Sequence, residues 1–141
     1  MDGDLQAIRD ELAIRNLIAR LARLADTCPI EDLERDYLPL FTADAVWEIP
    51  GDRRSGHAAI LSGAQERRRA GAQGPGAHSR HIVTTVEVHV DGSDTATAES
   101  YLVVVGDTDA TPTVRMTAQY RDTFRRDGGT WRVAERLVTF G

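Results

Sequence analysis

From Leu5 to Leu24 the apolar residues Leu5, Ile8, Leu12, Leu17, Leu21 and Leu24 recur at spacings near three and four. That spacing predicts one face of an amphipathic helix over Leu5–Ala25, with Arg9, Arg15, Arg20 and Arg23 mostly elsewhere on its circumference. Cys28-Pro29 interrupts the pattern, and Ile30 to Phe41 restarts it with Leu33, Tyr37, Leu40 and Phe41, predicting a second helix. Asp44 to Ile49 alternates as a strand does and stops at Pro50-Gly51. His57 to Ala70 reads as a third, arginine-rich helix, ended by the glycine-rich stretch 71–76, which reads as a mobile loop. The remainder is strand-like. His81–Val90 is rich in β-branched residues and ends at Asp91-Gly92. Thr95–Val105 and Thr113–Arg125 follow, and Asp127-Gly128-Gly129 turns the chain into a last strand, Trp131–Phe140. Helices first and hairpin-linked strands afterwards predict an α+β fold with an antiparallel sheet. A strongly curved sheet closed by the leading helices leaves a cavity on its concave face.

Length and composition narrow the classes. The 141 residues suit one domain spanning 1–141, 41% hydrophobic and 28% charged. A net charge of −5 implies no general affinity for nucleic acid. All 17 basic residues are arginine, which excludes a Schiff-base lysine and a lysine-bearing phosphate loop. Cys28 is the only cysteine, so neither an intrachain disulfide nor a four-cysteine zinc site is available. With no apolar stretch of membrane-spanning length and an acidic, polar start unlike a signal peptide, the expectation is a cytoplasmic protein without membrane association.

The candidate chemistry lies in the histidines, Asp26 and the arginines on strands. Asp26 falls where the first helix stops, and His81 opens a strand. Each alone reads most simply as a structural residue. Together they suggest a dyad, because a carboxylate bonded to one imidazole nitrogen fixes the tautomer and leaves the other free to take a proton. By the period of two, Val83 and Thr85 share the face of His81. Arg136 lies five residues after Trp131 and, pointed into a cavity, would stabilise a departing anion or an enolate. Arg115, with Arg121, is an alternative cation. Trp47, Tyr101, Tyr120, Phe124 and Trp131 read as core or pocket wall. Trp47, Val83, Thr85, Tyr101, Arg115 and Tyr120 are thus the candidates for substrate contact. His78, His81 and Glu99 give only a weak metal pattern, and neither a metal nor another cofactor is expected. Cys28 has no visible activator and reads as structural.

Four stretches together carry a resemblance: "AIRNLIARLARLAD" (13–26), "LPLFTADAVWEIPG" (38–51), "RHIVTTVEVHVDGSDTATAESYLVV" (80–104) and "YRDTFRRDGGTWRVAERLV" (120–138). In this order and spacing the chain resembles the SnoaL-like branch of the nuclear-transport-factor-2-like superfamily. That superfamily includes ketosteroid isomerase, scytalone dehydratase and hexachlorocyclohexane dehydrochlorinase. The resemblance implies a cone-shaped, cystatin-like α+β barrel, in which N-terminal helices and a curved sheet enclose a central pocket. It places the family's Asp-His pair on Asp26 and His81, and the dehydrochlorinase's leaving-group arginine on Arg136. Departures are Thr85, where an Asn is frequent, and Leu21 and Ala25, where dehydratases carry catalytic tyrosines.

The expected function is therefore proton abstraction by His81 from a carbon of an apolar cyclic small molecule. The outcome is elimination of water or halide in the manner of a lyase, or isomerisation or cyclisation. The alternative is a non-catalytic small-molecule-binding or accessory protein of the same fold. Apolar residues such as Val103, Val105 and Met116, read as lying on the convex sheet face, suggest a homodimer or homotrimer.

Overall fold

In a computed structural model, which describes residues 2–141, the chain opens with helix α1, Asp2–Thr27. Its buried stripe is Asp10, Ile14, Leu17, Ile18, Leu21 and Leu24. Leu5, Ile8 and Leu12, expected on the same face, are instead 49–58% exposed. The step from Leu12 to Leu17 is five residues, and at about 100° per residue five residues carry a side chain round to another face. The apolar pattern therefore belongs to two stripes, of which only the second packs on the sheet.

Ile30–Leu40 forms no continuous helix. Three short turns replace it: 3₁₀ over Ile30–Asp32, π over Leu33–Tyr37 and 3₁₀ over Leu38–Leu40. Pro29 and Pro39 bracket too few residues for a stable α-helix. The wide π turn lets the adjacent Tyr37 and Leu38 both be buried.

Strand β1 (Phe41–Ile49) starts earlier than its alternation suggests and pairs with a short strand, β2 (Asp52–Ser55). Helix α2 is His57–Arg69, and β3 (Arg80–Asp91), β4 (Thr95–Gly106), β5 (Thr113–Asp127) and β6 (Thr130–Thr139) follow. The sheet order is β2-β1-β6-β5-β4-β3. Its two ends do not pair, so this is a curved, open sheet rather than a closed barrel. It is also mixed, because β1 runs parallel to β6, with Trp47 opposite Arg136, while the other pairs are antiparallel.

The concave face carries the core. Along β4 the inward residues are Ala96, Ala98, Ser100, Leu102 and Val104, and along β5 they include Ala118, Tyr120, Asp122 and Phe124. Phe41, Phe124, Ile14 and Leu33 are each at most 1% exposed, and burial of such side chains contributes about 1.5–3 kcal/mol apiece. At one end of this core, Asp10 accepts hydrogen bonds from Gln6 Nε2 (3.0 Å), Arg126 Nη2 (2.6 Å) and the Trp131 indole (3.1 Å). At the other end the packing thins, and a cavity opens between sheet, α1 and α2.

Candidate active site

The last turn of α1 brings Asp26 beside the first residues of β3. Arg68 of α2 secures that helix end by donating to the carbonyls of Cys28 (2.7 Å) and Leu24 (2.8 Å), the latter shared with the Cys28 N–H. The Gly74 amide donates to the Ala25 carbonyl at 2.9 Å. Gly74 has φ +87°, and a Cβ there would lie 3.0 Å from the Arg68 side chain, so glycine suits this position.

Held this way, Asp26 Oδ1 accepts from the His81 ring Nδ1 at 2.7 Å, and the carboxylate accepts from the His81 main-chain N–H at 3.1 and 3.2 Å. One carboxylate thus fixes both the backbone and the ring of His81. The side chains are only 7% and 16% exposed, a setting in which a charge-assisted hydrogen bond is strong.

The free ring nitrogen has a neighbour that no motif announced. Gln73, in the glycine-rich loop, places its amide nitrogen 3.2 Å from His81 Nε2. The Gln73 carbonyl oxygen accepts from Arg67 Nε (3.3 Å) and Arg68 Nη1 (3.4 Å). Two guanidinium donors on that oxygen require the NH₂ to face His81. Nε2 therefore carries a lone pair, and Nδ1 carries the hydrogen donated to Asp26. This is the tautomer a general base needs.

His81 stands in the wall between two spaces. Outside, an open groove of about 720 Å³ runs along α1 and the start of β3, lined by Arg23, Asp26, His78 and Val83. Inside the curved sheet is a cavity of about 320 Å³, lined by Trp47, Ile49, Leu102, Val104, Met116, Tyr120 and Val138 with Arg67, Gln73 and Arg115. Although the outer groove is larger, Gln73, which marks the direction of the free nitrogen, lines only the inner space. The cavity continues to a narrow inner end bounded by Leu21, Ala22, Ala25, Tyr37 and Arg136.

Of the expected contact residues, Trp47 and Tyr120 line this cavity. Arg115 sits at its edge, tied to Asp107 at 3.1 Å, whereas Arg121 is on the outer face against Glu99. Val83 lines the outer groove. Tyr101 is half exposed on the outer face, because the inward side of β4 belongs to the even-numbered residues; the run Ala96, Ala98, Ser100 carried that signal. Thr85 does not share a face with His81. A bulge between Thr84 and Glu87 puts it at φ +55°, exposed, and Val86, Val88 and Val90 resume the inward side.

Arg136 reaches the inner end of the cavity but is already engaged. It is 5% exposed and donates through Nε and Nη2 to the two oxygens of Asp122, at 2.8 and 3.0 Å. Its guanidinium carbon lies 3.7 Å from the centroid of the Tyr120 ring. Burial opposes its charge, but the Asp122 carboxylate outweighs this and holds Arg136 firmly protonated. Burial raises the Tyr120 hydroxyl above the usual phenol value, partly offset by Arg136, so Tyr120 is a neutral donor at physiological pH.

His78 pairs with Asp109 at 3.6 Å and Glu99 faces outward, so the weak metal pattern does not assemble around His81. Burial pushes the Cys28 thiol up, against any nucleophilic role. Met116, expected on the convex face, lines the cavity instead, because it is in phase with the inward residues Ala118, Tyr120, Asp122 and Phe124 of β5 and lies opposite Val104.

The model of the SnoaL-like domain matches residues 6–137, nearly the whole chain. The chain belongs to the SnoaL-like family. Solved structures agree. An NTF2-like protein with a cystatin-like fold from Novosphingobium aromaticivorans is 28% identical, with 97% of this chain and 85% of that one covered and a TM-score of 0.81. An aromatic ring hydroxylase-like protein from the same organism is 26% identical over 94% and 90% of the two chains, with a TM-score of 0.74. A scytalone dehydratase-like protein from that organism is 16% identical over 94% and 85%, with a TM-score of 0.71, a likeness of fold. No curated protein matches the chain in sequence. Among the described residues, no helix is long and apolar enough to cross a membrane.

Proposed function

We propose that this SnoaL-like protein is an acid–base enzyme that removes a proton from carbon in an apolar, cyclic small molecule. The observation that carries the reading is the 2.7 Å Asp26–His81 bond at the wall of a mostly apolar cavity. His81 Nε2 accepts the proton, and Asp26 stabilises the imidazolium that forms. Tyr120 offers a neutral hydroxyl from across the cavity. Arg136, committed to Asp122, acts on Tyr120 through its ring rather than on a substrate directly, a positioning role. At about 320 Å³ the cavity is at the small end of ligand pockets, which suits a molecule of one or two rings. Loss of a β-substituent after proton removal gives a lyase reaction; return of the proton to another carbon gives an isomerisation.

One observation favours a second reading, a ligand carrier: the His81 nitrogen is already satisfied by Gln73. Native mass spectrometry separates the two. An enzyme predicts that His81→Ala protein purified from cells retains a ligand that added wild type converts to a species of changed mass or retention. A ligand held equally by both proteins and left unchanged overturns the enzymatic reading.

A further inference from the structure

The inner cavity holds one cation whose charge no carboxylate neutralises. Arg136 is matched by Asp122 and Arg115 by Asp107, while Arg68 is spent on main-chain carbonyls. Arg67 has no carboxylate partner among the described residues. Its guanidinium lies 4.6 Å from the Trp47 ring centroid, half-buried, and its Nε holds the Gln73 carbonyl oxygen. A guanidinium stacked on indole is less hydrated than one in water and favours an anion that comes within reach. The Gln73 amide links this charge to the base, since its oxygen takes two guanidinium hydrogen bonds and its NH₂ points at His81 Nε2. Hydrogen bonds in such a chain polarise one another, making that NH₂ a better donor than a free amide.

We propose that Arg67 and Gln73 are the oxyanion-binding arm of this site, taking the negative charge that develops on a substrate carbonyl oxygen when His81 removes the adjacent α-proton. The proposal rests on His81 being the base and adds the group that receives the electrons. In the step, the α C–H bond breaks and its proton goes to His81 Nε2. The C–H pair becomes the C=C bond of the enolate, and the C=O π pair moves to oxygen, where Gln73 and Arg67 meet it. Geometry selects this chemistry. The donor is 3.2 Å from the base, on the same side of the substrate, as befits an oxygen three bonds from the proton removed. Anti elimination of halide from an unactivated ring needs its electrophile across the ring from the base. Gln73 must leave Nε2 for substrate to enter, and rotation about its side-chain bonds can swing the amide aside while the Ala72–Arg67 and Gly74–Ala25 hydrogen bonds hold the loop backbone.

The test uses 4-nitrophenol, whose phenolate mimics a ring enolate and absorbs distinctly from the phenol. Titration should show wild type binding the phenolate selectively. Arg67→Met and Gln73→Leu should each weaken that binding about ten- to hundredfold, in line with loss of a hydrogen bond to a charged group. Arg67→Lys, which keeps the charge, should retain most of it, and circular dichroism checks that each variant folds. In parallel, exchange of the α-hydrogens of 2-tetralone in D₂O reads the base. Gln73→Leu should slow exchange by about 10²–10³, the scale for one lost oxyanion donor. His81→Ala should abolish exchange yet still bind nitrophenolate. Equal nitrophenolate binding by wild type and Arg67→Met, or none by wild type, overturns the arm and leaves the base standing. Exchange unaffected by His81→Ala, with phenolate binding lost in the arm variants, overturns the base and leaves an anion-binding site.

Discussion

Removing the carboxylate of Asp122 should destabilise this protein more than most single substitutions, because of what it abandons rather than what it contributes. Asp122 is 0% and Arg136 5% exposed, and the bidentate pair is what makes a buried guanidinium tolerable. In Asp122→Ala the guanidinium keeps the Tyr120 ring but loses its counter-charge. Breaking one side of a buried pair costs about 3–5 kcal/mol, and replacing both sides with apolar residues of similar volume is often neutral. For a chain of this length 1 kcal/mol corresponds to roughly 3–5 °C, so Asp122→Ala should melt about 10–20 °C below wild type. The double variant Asp122→Leu/Arg136→Met should recover most of that. Thermal melts followed by circular dichroism, arranged as a double-mutant cycle, give both values. A loss under 1 kcal/mol for Asp122→Ala, or a double variant no more stable than the single, would refute the view that Arg136 is locked in a structural pair.

Other consequences can be checked as directly. Burial alone would raise the Asp10 carboxyl, but hydrogen bonds from Arg126, Trp131 and Gln6 outweigh it and hold it below the ordinary carboxylate value of about 3.9. Its contribution to stability is therefore complete above that value and is lost as pH falls through the lower folded one. Melting temperature should drop below about pH 4, and less steeply in Asp10→Asn, which starts lower. Thr85 is β-branched at φ +55°, so Thr85→Gly should gain about 1 kcal/mol in urea denaturation; a loss would mean the bulge needs its side chain. Ile82, Tyr101 and Phe140 are 44–50% exposed, the first two diagonal neighbours across β3 and β4 on the outer sheet face, which is expected to be covered by a second copy. Sedimentation should show an oligomer that Tyr101→Glu dissociates, and a wild-type monomer at high concentration would contradict this.

What could be read in the sequence was whatever is local. The hairpins β3–β4 and β5–β6 follow from Asp91-Gly92 and Asp127-Gly128-Gly129, whereas the short edge strand β2 was not expected after Pro50-Gly51. The parallel β1–β6 pairing joins segments some ninety residues apart with no turn to announce it, and the bulge at Thr85 inverts parity without a glycine to mark it. Asp26 and His81 were legible because a helix end and a strand start are positions a pattern defines. Arg67 was legible in principle, since Ile60, Ala64 and Arg67 recur at helical spacing on the face of α2 that turns inward. Gln73 was not, because its place depends on a loop whose course is set by the Gly74–Ala25 contact and by Arg68. The Arg136–Asp122 pair was hidden for a similar reason: the two residues are neighbours only across the β5–β6 ladder.

The central claim is that His81 takes a proton from carbon, and the most direct measurement is α-hydrogen exchange of 2-tetralone in D₂O, followed by mass spectrometry. Wild type should accelerate exchange over buffer. His81→Ala should lower the rate by about 10²–10⁴, the range for a positioned general base, and Asp26→Asn should lower it substantially by disturbing the tautomer. Exchange that wild type accelerates and both variants sustain at the wild-type rate would contradict the account.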